Sequence, residues 1–307
     1  MPARRFLFLS FCGILLLLAS MTFARNRLWT DGLLLWQDTV AKSPGKARPH
    51  YLCGVEYDKN GRSDEAMREY RTALHLHLNS DFGLTHDNLG HIYAKLGRPD
   101  EAIRELQTAL LNNPADDAAH ANLGVVYEKQ GKMNEAIREL LSALDANPYN
   151  DLAQYNLGNI YQEQGRLEEA MMAYQATLRL NPGNADARNN LGLLYGKQGR
   201  FAEAIQEFSE AIRIQPKNAE SFNNMGIVYA KLGRYGEAVN AFQRALAYGP
   251  ESAEVHKNMG VAYRYQGRIE EAVGEFQSAL RIDPGFVDAR YQLERAKKEL
   301  EQANSAK

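Results

Sequence analysis

Residues 151–184 read DLAQYNLGNIYQEQGRLEEAMMAYQATLRLNPGN. In the first half Leu152, Tyr155, Leu157, Ile160 and Tyr161 recur at helical spacing, and Leu167, Ala170, Tyr174, Thr177 and Leu178 do so in the second. Gly165 lies between the halves, where a helix ends in a turn that needs positive φ. Asn181-Pro182 stops the second helix, because proline cannot continue it and restrains the residue before it. Gly158 and Ala170 are small, as the close contact of two helices in a hairpin requires. The stretch predicts a helical hairpin whose apolar face one hairpin cannot bury alone.

The pattern extends in both directions. Glycine recurs at 90, 124, 158, 192, 226 and 260, a step of 34. A second glycine series follows at 97, 131, 165, 199, 233 and 267. Ala102, Tyr93 and Pro114 each begin a series with the same step. One further copy lies upstream, with Gly54, Tyr57, Gly61, Ala66 and Ala73, two residues longer and with Ser80 in the proline phase.

This arrangement resembles the tetratricopeptide repeat family, in which 34-residue hairpins stack into a solenoid. The resemblance covers residues 47–286 as seven units. It implies an all-α fold, a right-handed superhelix in which each hairpin buries its apolar face against its neighbours.

Both flanks differ from the repeats. Residues 287–307 begin like an eighth first helix, with Val287, Tyr291 and Leu293, but Glu294 stands in the glycine phase. No second helix could pack closely there, so a solvated capping helix and tail are expected. Residues 28–46 carry Gly32, Trp36 and Pro44 in the phases of the repeat alanine, aromatic and proline. They predict an orphan second helix that caps the first full repeat.

Residues 1–27 read as a membrane segment. FLFLSFCGILLLLASMTFA, residues 6–24, carries no charge and lies between Arg4 and Arg5 on one side and Arg25 and Arg27 on the other. That length can span a bilayer as a helix with the arginines among the headgroups. A signal peptide cleaved after Ala24 is the alternative, given the small-residue pattern at Thr22 and Ala24. The apolar run is long for a signal sequence, which favours an uncleaved single-pass anchor with an extracytoplasmic repeat domain over a secreted or periplasmic chain. The adjoining stretch, with Trp29, Trp36, Ser43 and Pro44, is similar to the junction in membrane proteins of the transmembrane tetratricopeptide repeat O-mannosyltransferase type. The multi-helix catalytic portion of that group is absent, so the likeness implies at most an accessory or truncated relative.

The composition narrows the chemistry. Lys plus Arg is 36 and Asp plus Glu is 38, which argues against a nucleic-acid partner. Cys12 and Cys53 are too few for a disulfide framework or a cysteine zinc site. There is no phosphate loop, nucleophile elbow or HExxH motif. His50, His86, His120 and His256 hold the fourth position of different repeats, about a helix diameter apart, too far to share one metal ion. Packing or surface roles are expected for all seven histidines. Glu65, Glu101, Glu135, Glu169, Glu203, Glu237 and Glu271 share one phase early in the second helix, where negative charge suits a helix N-terminus. No enzyme, cofactor or metal is expected.

The binding candidates lie on the first helix of each repeat. Asn88, Asn122, Asn156, Asn190, Asn224 and Asn258 occupy the sixth position, which faces the groove in solenoids of this family. Their amides match the N–H and C=O of an extended peptide, as in the similar repeat domain of O-GlcNAc transferase. The alternative is that they bond neighbouring repeats. Lys95, Lys129, Lys197 and Lys231 share a second phase, interrupted by Glu163 and Tyr265, and would favour acidic partners or simply suit a helix C-terminus. The lysine, asparagine and arginine set of chaperone-tail repeat domains is incomplete: Val261 follows Lys257 and Asn258, and Asn159 follows Tyr155. The expected function is a membrane-tethered scaffold for a protein partner.

Overall fold

The computed structural model describes residues 30–76 and 82–305, and every regular element in them is an α-helix. A short helix, α1 (Gly32–Lys42), precedes seven hairpins. These are α2 (Ala47–Lys59) with α3 (Ser63–His75), α4 (Phe82–Lys95) with α5 (Pro99–Asn112), α6 (Asp117–Lys129) with α7 (Met133–Ala146), α8 (Asp151–Glu163) with α9 (Leu167–Leu180), α10 (Ala185–Lys197) with α11 (Phe201–Ile214), α12 (Ala219–Lys231) with α13 (Tyr235–Tyr248), and α14 (Ala253–Tyr265) with α15 (Ile269–Ile282). A last helix, α16 (Val287–Ser305), follows. The first helix of each hairpin is called A and the second B.

Local chemistry sets the ends of these helices. Asp116, Asn150, Asn184, Asn218 and Ser252 cap their A helices by accepting a backbone N–H three residues on. Gly165 has φ 73°, and the turn closes with Arg166 N donating to Tyr161 O at 2.8 Å. The next residue carries a second device. Arg166 lies 4.2 Å from the centroid of the Tyr161 ring while pairing with Glu169. The same arginine–tyrosine–glutamate arrangement recurs at Arg62, Arg98, Arg200, Arg234 and Arg268, with Lys132 over Tyr127 in the third repeat. The arginine hydrogen bond holds Glu65, Glu101, Glu169, Glu203, Glu237 and Glu271 below the usual carboxylate range. The glutamate phase therefore serves an ion pair as well as the helix N-terminus.

The chain divides into two compact units, Met1–Pro148 and Tyr149–Lys307, with the boundary between the third and fourth repeats. The first unit buries Tyr70, Leu89, Ile92, Leu106, Leu123 and Val126. The second buries Tyr174, Leu191, Leu194, Phe208, Phe242, Met259 and Phe276. Within each hairpin the A-helix glycine admits the bulky side chain of helix B. A Cβ on Gly192 would lie 2.8 Å from Phe208 Cε1 and 3.2 Å from the Ala204 carbonyl oxygen. Cys53, on α2 of the first unit, is 1% exposed and its thiol is pushed up to about 11, chiefly by burial.

The flanks fold as capping helices. Asp31 caps α1, and Gln37 Nε2 donates to Tyr57 Oη at 2.8 Å, fastening α1 to α2. On α16, Ala289 and Ala296 are fully buried against the last hairpin while Glu294 is exposed. No described helix is long and apolar enough to cross a membrane, and residues 6–24 lie outside the described residues.

Candidate functional site

Successive A helices touch one another within each unit: α4 with α6, and α10 with α12, α12 with α14, and α14 with α16. This makes a face built mainly of A helices, marked by clefts where neighbouring repeats meet and to which B helices add Pro99, Phe208, Tyr235 and Phe242. In the first unit a cleft of about 220 Å³ is lined by Ala94, Gly97, Pro99, Val126, Lys129 and Gln130. In the second, a cleft of about 60 Å³ includes Gly196, Lys197, Asn224, Ile227, Val228 and Lys231. Beside it, a cleft of about 290 Å³ includes Ile227, Lys231, Tyr235, Asn258, Val261 and Tyr265. The clefts are equivalent positions of the repeat. Ala94, Gly196 and Ala230 fall in one phase, as do Lys129, Lys231 and Tyr265.

Three of the four candidate lysines line these clefts. Lys129, Lys197 and Lys231 are exposed and have no ion-pair partner among the described residues. Lys95 differs, because its Nζ lies 3.7 Å from Asp58 Oδ1. In the seventh repeat Tyr265 replaces the lysine and stacks on Tyr235, with centroids 4.9 Å apart and planes 6° from parallel.

The six asparagines do not behave alike. Asn122 Nδ2 donates to Asp87 Oδ1 at 2.9 Å, and Asn224 Nδ2 donates to Asn189 Oδ1 at 3.1 Å. Asn190 Nδ2 reaches Asn159 Oδ1 at 3.2 Å and Tyr174 Oη at 3.3 Å. Each of these bonds joins one repeat to the repeat before it. Asn88 lies against the Tyr70 hydroxyl. Asn156 is buried, and its Nδ2 has no partner among the described residues. Asn224 and Asn258 also line the two clefts of the second unit. The amides of Asn122, Asn190 and Asn224 are therefore partly committed between repeats, the alternative that the sequence left open.

Two features were not anticipated from the sequence. Asp87 is 8% exposed, and burial pushes its carboxyl up to about 6 against the opposing effect of the Asn122 bond. Nearby, burial and then Lys95 lower the pKa of His91. The fourth-position histidines form hairpin clasps. Their Nδ1 atoms lie 2.6 Å from Glu69 Oε2 for His50, 2.5 Å from Glu105 for His86, 2.7 Å from Glu139 for His120 and 2.6 Å from Glu275 for His256. Arg188 makes the same bond to Glu207 at 2.9 Å. The signal was present in the sequence as a histidine or arginine and a glutamate 19 residues apart. No group of residues suited to hold a metal ion occurs among the described residues.

Comparison with known proteins agrees with this architecture. The family model described as the Cilia and flagella-associated protein 70 C-terminal domain matches residues 83–259, more than half of the chain. The chain belongs to this tetratricopeptide repeat family. A second model, tetratricopeptide repeat, matches residues 253–286 of the same repeat array. No curated protein matches the chain. Among solved structures, the tetratricopeptide repeat chain is similar to a chain of the anaphase-promoting complex hetero-tetramer Cut9–Hcn1, with TM-score 0.67 and 20% identity over 86% of this chain and 52% of that one. It thus spans about half the length of that relative. It is also similar to PilF of Pseudomonas aeruginosa, with TM-score 0.64 and 23% identity over 70% of this chain and 98% of that one. YrrB, described as a tetratricopeptide repeat protein with an unusual peptide-binding site, aligns with TM-score 0.54 and 23% identity over 61% of this chain and 96% of that one. These structures share the fold, which is typical of non-enzymatic scaffolds. None of them is a membrane O-mannosyltransferase.

Proposed function

We propose that the chain is a membrane-tethered interaction scaffold whose A-helix face holds an extended segment of a partner protein. The observation that carries this reading is the set of apolar clefts between successive A helices, rimmed by unpaired lysines and by the amides of Asn224 and Asn258. Apolar clefts with a few polar groups at the rim suit side-chain anchoring with backbone hydrogen bonds. YrrB, which has the same fold, carries a peptide-binding site. The uncharged run at 6–24 with arginines on both sides supports the tether, and an extracytoplasmic repeat domain is part of the same proposal, to which the balanced arginines do not contribute.

A photoreactive residue in place of Lys231 tests the binding face, with one in place of Met172 on α9 as the control, since both positions are exposed. Partner crosslinks from position 231 and none from 172 are expected. The reverse pattern overturns the assignment of the A-helix face. For the tether, the full chain should remain with membranes through carbonate washing, and a mature chain beginning at Arg25 would overturn it.

A further inference from the structure

We infer that the second unit selects an acidic extended segment with a small aliphatic side chain and an aromatic one three residues apart. This rests on the reading of the A-helix face as the binding face and adds the chemistry of the partner.

The two clefts of that unit are adjacent and share Ile227 and Lys231. They lie in successive inter-repeat seams, between α10 and α12 and between α12 and α14. Packed helices lie about 8–10 Å apart, and a chain in the extended polyproline II conformation advances about 3.1 Å per residue and brings every third side chain back to the same face. Neighbouring clefts are therefore three residues apart along such a chain. Residues two apart fall short, and residues four apart overshoot.

The clefts differ in size and lining. The narrower, about 60 Å³, is walled by Leu193, Ile227 and Val228 and suits a small aliphatic group. The wider, about 290 Å³, is lined by the stacked rings of Tyr235 and Tyr265 together with Val261 and Ile227. Parallel tyrosine rings offer a face and an edge to an incoming aromatic ring, the offset and edge arrangements that aromatic pairs prefer. Tyr265 is 59% exposed, so a large apolar surface stands open there.

Charge supplies the third element. Lys197 and Lys231 border the clefts, are exposed and pair with no carboxylate among the described residues. Elsewhere on the A-helix face Lys257 is engaged by Asp288 at 3.3 Å and Lys95 approaches Asp58. Within the second unit Lys197 and Lys231 are thus the A-helix lysines with charge left for a partner, and glutamate or aspartate beside the anchors complements them.

The test is fluorescence anisotropy of the full chain with labelled nine-residue peptides. The parent peptide has valine third, tryptophan sixth, and glutamate second and fifth. One control exchanges the tryptophan with the glutamate before it, so that it stands two residues from the valine at equal charge, and another replaces both glutamates by lysine. The parent should bind about tenfold tighter than either control. The charge-reversed pair Lys197→Glu and Lys231→Glu should invert the preference between the glutamate and lysine peptides. Tyr265→Ala should weaken the parent about fivefold at unchanged helical content by circular dichroism. Binding that ignores spacing and charge, or no binding of the parent, overturns the inference and leaves the crosslinking result at position 231 intact. Crosslinking confined to position 172 removes the underlying reading itself.

Discussion

Asn122 donates a 2.9 Å hydrogen bond to Asp87, 35 residues earlier in the chain and in the preceding repeat. In the second unit Asn224 makes the same bond to Asn189, at 3.1 Å. The two pairs are the acidic and neutral forms of one inter-repeat contact, and the difference between them has consequences for stability.

Burial raises the Asp87 pKa to about 6, so the folded chain holds that proton more tightly than the unfolded one. The cost of burying its charge is therefore full above pH 6 and is relieved as the pH falls from 6 towards 4. A shift of this size corresponds to about 3 kcal/mol. Asp87→Asn keeps an acceptor for Asn122 and removes the charge. Urea unfolding at pH 8 should show the variant more stable by about 1–3 kcal/mol, with a weaker dependence between pH 4 and 6. Equal stability at pH 8 would show that Asp87 carries no such cost.

Asn224→Ala removes the donor to Asn189 and leaves Asn189 Oδ1 with the Ser221 hydroxyl, 3.1 Å away. The second unit should lose about 1 kcal/mol of stability, and a double-mutant cycle with Asn189→Ala should recover a coupling of similar size. Additive effects of the two substitutions would contradict a contact between repeats.

Gly192 and Gly274 are both helical, and alanine at each carries a helix-propensity gain of about 1 kcal/mol. At Gly274 a Cβ would meet nothing within 4 Å, so Gly274→Ala should raise the melting temperature. At Gly192 a Cβ would press on Phe208, a ring 1% exposed that has no room to move. Gly192→Ala should destabilise by about 1–2 kcal/mol despite the gain. Thermal unfolding of the two variants compares them directly, and shifts of the same sign would refute the assigned helix contact.

His120 lies 2.7 Å from Glu139 and 3.1 Å from the Pro114 carbonyl oxygen, while Arg188 reaches Glu207 and the Pro182 carbonyl from the same position of another repeat. His120→Ala should cost about 1–2 kcal/mol, and His120→Arg should restore most of it. If His120→Ala unfolds at the wild-type denaturant concentration, the clasp contributes nothing to the hairpin.

The repeated helical hairpin, the positive-φ turns and the close contacts of Gly192 and its equivalents were legible in the sequence, because each is a local requirement repeated at one spacing. Gly165 at φ 73° and the 2.8 Å from a Cβ on Gly192 to Phe208 follow from side-chain size and backbone sterics alone. The candidate site was legible only as positions. Lys95 and Lys231 share a phase, yet one faces Asp58 and the other rims an apolar cleft. The clasp pairs show the same limit, since their 19-residue spacing had no meaning until helix B folded back on helix A.

The sequence by itself determined the hairpin, its period, the capped flanks and the absence of a recognisable catalytic motif, since these depend on interactions within about one repeat. Only the tertiary structure decided which asparagines are already bonded, which lysines keep their charge free, and that Tyr265 stacks on Tyr235. Those outcomes depend on which residue of the neighbouring repeat faces each side chain. A change there from Asn189 to Asp87, or from lysine to Tyr265, leaves the hairpin pattern intact and alters what the face can hold.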